Sequence, residues 1–170
     1  MAGRTTRAVY GALAGAIGAA CMTPVRLIAR RRGVIDKTIS QIAEEWLTAH
    51  ANAARTRGPA FHHALDQAMH LGYGAALGMA YALTLGRRRR RGMARGLAFG
   101  LGTWLLGSWA LMPAARVNRP PWRKGLGENL VDLVAHGLFG FVTALVSEEM
   151  SRQPSHRPSS DIHRYFARSG

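Results

Sequence analysis

The sequence predicts an all-α membrane domain: a four-transmembrane-helix bundle, readable as a duplicated helical hairpin, with an additional amphipathic helix between helices 1 and 2. Three observations carry this reading. Residues 8–25, 67–86, 96–115 and 133–147 contain no Lys, Arg, Asp or Glu, and about 20 apolar residues cross the hydrocarbon core of a bilayer. These stretches are rich in Gly and Ala rather than Leu, which suits helices whose backbones approach closely. The basic residues gather at the ends of the stretches, at Arg30–Arg32, Arg87–Arg91 and from Arg116 to Lys124, where cations meet headgroups and orient spans.

The net charge of +14 therefore points to a bilayer with anionic headgroups as the partner. It argues against nucleic acid, because no basic segment carries the interleaved aromatics of an RNA- or DNA-binding module. A second copy of the chain is a further partner that helices of this kind admit. Cys21 is the single cysteine, which excludes an internal disulfide and a cysteine-based zinc site.

The first span is expected over about 7–29. Arg4 and Arg7 precede its apolar run as in a signal peptide, but no Ala-x-Ala cleavage site leads to a polar mature domain, so it reads as an uncleaved helix. Pro24 falls near its end, where a kink is tolerated in a membrane helix. Residues 35–54 differ in kind. Ile35, Ile39, Ile42 and Trp46 recur at helical spacing, with Lys37, Gln41, Glu44 and Glu45 off that stripe. This is the expected amphipathic helix, lying on the interface or against the bundle.

Gly58-Pro59 ends that excursion. The second span covers about 61–85, the third about 93–112 with Pro113 as its stop, and the fourth about 128–150. Trp122, in the basic, proline-containing connection before the fourth span, is placed to anchor the interface. Residues 1–150 thus form a helical membrane domain. The basic, Pro- and Ser-rich residues 151–170 have the composition of a disordered tail.

Two internal correspondences suggest the duplication. Gly11 and Gly15 in the first helix match Gly96 and Gly100 in the third, as Gly-x-x-x-Gly packing motifs. Asp66 and His70 in the second helix match Asp132 and His136 in the fourth. Matching helices are two spans apart, which makes the repeat a parallel one.

Residues four apart share a helix face, so each Asp/His pair forms one polar spot early in its helix. Both spots then lie at similar depth, near the membrane face where Arg26 emerges, and Arg26 is the natural counter-charge to the carboxylates. Three readings of this cluster compete. The residues can bond one another and the backbone and so glue the helices. They can form a protonation site or polar pathway, since imidazole titrates near neutral pH. They can supply four ligands to a metal, although the Glu-x-x-His of di-iron bundles is absent. The sequence names no cofactor, and no Ser/His/Asp arrangement, nucleophile elbow or phosphate loop is present.

The segment "PPWRKGLGENLVDLVAHGLFGF" resembles the YagU-like family of small bacterial inner-membrane proteins of unknown function. Pro121, Trp122, Glu128, Asn129, Asp132 and His136 carry the likeness. The spacer between Trp122 and Glu128 is longer here, and the five-arginine turn and basic tail also depart from the family pattern. The resemblance implies a multi-span bacterial inner-membrane protein and supplies no activity. The expectation is thus a small membrane protein that moves or senses a small ion or solute, or supports a membrane complex. The alternatives are a membrane metalloprotein or metalloenzyme, and a soluble basic helical protein. With the arginine turn weighted most, the N- and C-termini are expected in the cytoplasm.

Overall fold

A computed structural model describes residues 3–37, 41, 42, 45, 49, 58–86, 92–114, 116 and 119–152. These residues are helical with no strand among them. Helix α1 is Arg4–Arg31, α2 is Pro59–Thr84, α3 is Gly92–Ala114 and α4 is Leu126–Arg152, with a short 3₁₀ turn at Pro121–Arg123 before α4. Most of the expected amphipathic segment 35–54 lies outside the described residues. Within it, Ile35 is buried, and Lys37 pairs with Glu45 at 2.8 Å. The five-arginine turn 87–91 and the tail beyond Arg152 also lie outside the described residues. Ser151 and Arg152, counted with the tail in the sequence reading, are the last residues of α4.

The helix ends follow their sequences. Gly33 takes φ of +68°, a left-handed conformation that glycine adopts without steric cost. Gly33 N–H donates to the Arg30 carbonyl and Val34 N–H to the Ala29 carbonyl. This pair of bonds is the Schellman ending, which satisfies carbonyls left over at a helix C-terminus. In α3 the segment Leu105–Leu111 is π-helical, and Met112 N–H reaches back to Gly107. Pro113 explains it. Proline has no N–H to return to Trp109, and its ring crowds that carbonyl, so the preceding turn widens.

Small residues face inward and large ones outward. On α1 the buried positions include Gly11, Ala14, Gly15, Gly18 and Ala19, while Val9, Leu13 and Ile17 are exposed. On α3 the exposed positions include Leu97, Leu101, Leu105 and Trp109. A helix apolar all round belongs in a large core or a membrane, and this bundle is too small to cover its outer face. α1, α3 and α4 are each long and apolar enough to cross a membrane. α2 is not among them by apolarity. Its first half holds His62, His63, Asp66, Gln67 and His70, and Gly and Ala dominate the rest.

Packing is close where glycine permits it. Gly15 lies against the backbones of Gly74 and Gly78, and Gly11 against Gly78 and Ala82. In the second hairpin Gly100 lies against His136 and Gly140, and Gly96 against Gly140 and Ala144. A Cβ at any of these four glycines would overlap its neighbour. Both hairpins therefore close through the same device. With His70 aligned to His136, the α3–α4 contact sits one helical turn nearer the polar end of its hairpin than the α1–α2 contact does.

α1 and α4 form the central pair, with Gly18 against Phe139 and Thr143. Ala19, Met22, Ala135 and Phe139 make the core there. α2 packs on the far side of α1, and α3 on the far side of α4. α2 and α3 meet where the Tyr81 and Phe99 rings lie 5.2 Å apart.

Candidate functional site: a charged cavity floor between four helices

The site lies at the end of the bundle where α1 finishes and α2 and α4 begin. Arg26, Asp66 and Asp132 are all buried. The Arg26 guanidinium approaches one Asp132 carboxylate oxygen at 3.7 Å. Lys124 Nζ donates to the other at 2.9 Å, and its side chain is only 3% exposed. Two cations thus converge on one carboxylate, one at each oxygen. Asp66 interacts electrostatically with Arg26 without a direct ion pair. Its Oδ2 accepts from Gln67 Nε2 at 3.3 Å, and its buried Oδ1 has no partner among the described residues. Arg26 Nε likewise has none.

The charges balance: Arg26 and Lys124 against Asp66 and Asp132. A neutral cluster is the form in which four ionised groups can be kept away from water, because an unpaired ion at membrane depth is costly.

The histidines complete the site in a way the i, i+4 spacing left open. Neither imidazole bonds an aspartate carboxylate. His136 Nδ1–H donates to the Asp132 backbone carbonyl at 2.7 Å, and His70 Nε2–H donates across to the Ala19 carbonyl on α1 at 2.9 Å. Ala19 stands one residue before the carbonyl that Pro24 deprives of its N–H, so His70 supports α1 beside its proline. Each bond to a carbonyl requires the proton on the nitrogen that makes it. In the neutral ring this leaves a lone pair on His70 Nδ1 and on His136 Nε2. The two imidazoles are close enough to interact with each other and with Arg26.

Arg26 and the two imidazoles line one cavity of about 170 Å³, and the two aspartates and Lys124 lie outside its lining. Its wall on α1 is Ala19, Met22 and Arg26, on α2 Met69, His70 and Tyr73, on α3 Thr103, Ser108 and Met112, and on α4 His136 and Phe139. Tyr73, on α2, is 47% exposed, the most open residue of the lining. The π-helical turn of α3 brings Gly107 and Ser108 to the opposite wall.

Among the residues singled out by sequence, Asp66, His70, Asp132, His136 and Arg26 come together. Gly11, Gly15, Gly96 and Gly100 lie at helix contacts. Trp122 is 67% exposed and lies beside Trp109, with ring centroids 5.9 Å apart and ring planes tilted by 58°. Among the described residues, no three of His, Cys, Asp and Glu are grouped to hold a metal ion. Sequence reasoning missed Lys124, which it counted with the headgroup-facing cations. Its position eight residues before Asp132, beyond a Pro-Pro-Trp turn, was the available signal. It also missed the methionines and Ser108 of the wall, while Tyr73 and Phe139 follow His70 and His136 at the same spacing in the two matching segments. Comparison with protein-family models, curated proteins and solved structures finds no match to the chain.

Proposed function

We propose that this chain is a four-span integral protein of a bacterial inner membrane, which takes a small solute into the cavity between its helices in order to sense or move it. The observation that carries the reading is the cavity itself: Arg26, His70 and His136, with the hydroxyl residues Tyr73, Thr103 and Ser108, line a space whose other walls are apolar. The outward face of α2 supports counting it as the fourth span. Ala64, Ala68, Gly72, Tyr73, Ala76, Met79 and Ala80 are exposed and uncharged, and α1 covers the opposite face. The resemblance of residues 120–141 to the YagU-like family agrees with a multi-span inner-membrane protein.

The test is extraction combined with topology. The protein should remain in the membrane pellet through high salt and alkaline carbonate and leave it only with detergent. Reporters fused after residues 57 and 91 should report opposite sides. Release by alkali would end the membrane reading, and reporters on one side would remove α2 as a span.

A further inference from the structure

The cavity constrains its occupant by size, wall chemistry and hydrogen bonding. A cavity of about 150 Å³ lined by apolar side chains holds one benzene ring, so about 170 Å³ matches a single six-membered ring with a substituent. Met22, Met69 and Met112 offer thioethers, and Tyr73 and Phe139 offer rings, all of which contact aromatic faces favourably. The polar groups ask for a donor and an acceptor together. The two imidazoles present lone pairs at His70 Nδ1 and His136 Nε2, because their N–H groups are committed to backbone carbonyls. Arg26, 5% exposed, holds an Nε–H with no acceptor. A hydroxyl does both: its hydrogen goes to an imidazole and its oxygen accepts from the guanidinium.

Charge excludes the neighbouring choices. Three thioethers and two imidazoles would suit a soft monovalent cation such as Cu(I). Those ligands carry no charge, however, and the ion would share its cavity with a guanidinium. An anion would disturb a cluster that already balances. From these constraints we infer that the cavity binds the ring of a membrane-soluble phenol, its hydroxyl held between Arg26 and an imidazole of His70 or His136. The exposed edge of the lining at Tyr73 is the entrance, and any alkyl substituent lies there, toward the lipid. This inference rests on the membrane-cavity reading above and names its ligand class.

The experiment uses the full chain in lipid nanodiscs and three fluorinated probes observed by fluorine NMR. 4-Fluorophenol should give a saturable, protein-dependent signal. Fluorobenzene, of nearly the same size, should bind at least about tenfold more weakly, because it leaves the polar floor unsatisfied. 4-Fluorobenzoate should also bind more weakly. His136→Phe together with His70→Phe should reduce the preference for phenol over fluorobenzene to nearly one. Ser108→Leu, which fills the cavity, should abolish both. Equal binding of phenol and fluorobenzene to the unaltered chain would overturn the inference, as would tighter binding of benzoate or the absence of saturable phenol binding. Each of those results, obtained with protein that resists alkaline extraction, would leave the membrane reading intact.

Discussion

Lys124 Nζ lies 2.9 Å from Asp132 Oδ2, inside a bundle end where the lysine is almost wholly covered. The ion pair folds the 121–123 turn back over the start of α4 and places a second cation on the carboxylate that Arg26 already approaches. Removing the shared acid strands both cations. Asp132→Ala should therefore lower stability by about 3–5 kcal/mol, the loss typical of breaking a buried pair from one side. Lys124→Met, which keeps the Arg26 pair and fills the volume, should cost much less. Thermal unfolding of the two variants in one detergent checks the order, and equal losses would show that the site is not centred on Asp132.

Arg26→Ala leaves Asp132 with Lys124 alone and takes from Asp66 the cation it interacts with, so it should reduce the yield of folded protein more than any single histidine substitution does. Arg26→Lys should recover part of that yield, since it restores charge but not the guanidinium's reach and planar fork. Size-exclusion profiles of detergent-solubilised protein provide the comparison.

The glycine contacts predict a contrast within one residue type. Gly15→Val places atoms where Gly74 and Gly78 stand and should destabilise by roughly 1–3 kcal/mol, as overpacking does. Gly102→Ala meets nothing within 4 Å and should be neutral or slightly stabilising, because alanine favours helix over glycine. Should both be neutral, the α1–α2 contact is not held by close backbone approach.

Pro113→Ala returns an N–H to the end of α3 and removes the reason for the widened turn. The expected outcome is an α-helical 105–111 segment in which residues before Leu105 keep their faces and Ser108 rotates. A cysteine at Ser108 should then change its reactivity toward a small membrane-permeant thiol reagent, whereas a cysteine at Leu97 should not. Unchanged reactivity at 108 would assign the π-helical turn to packing rather than to Pro113.

The cluster also bears on orientation. Counted by sequence, the basic residues on the two sides of the proposed four-span protein are nearly equal. Among the described residues Arg26 and Lys124 are placed on Asp132 and Lys37 on Glu45 on one side, against Arg152 on Glu148 and Glu149 on the other, so fewer cations on the first side remain for headgroups. The imbalance favours the side carrying Arg87–Arg91, and with it cytoplasmic N- and C-termini. A C-terminal reporter active only outside the cytoplasm would contradict this.

The long helices were legible because charge is segregated from apolar runs, a pattern that survives any detail of packing. The meeting of Arg26 with the two aspartates was legible too, since all three fall near helix ends that topology brings to one face. The histidines were legible as neighbours but not in their bonding. A ring at i+4 can reach the carbonyl of residue i as well as its side chain, and spacing alone does not separate the two. Lys124 was hidden because its placement depends on a turn rather than on a period. The cavity was invisible for a different reason: where helices leave space between them is decided by the sum of all contacts, not by any one motif.

Arg26 and Asp132 also set an order of events. The basic side chain emerges from the ribosome about a hundred residues before the acid that neutralises it, an interval of roughly 5–20 s at ordinary elongation rates. Until then the one carboxylate near Arg26 is Asp66 of the next helix, which makes no direct ion pair with it. Arg26 sits close enough to the end of α1 for its long side chain to stay at the interface meanwhile. On the membrane reading, synthesis of α4 is therefore the step that supplies Arg26 with its carboxylate partner.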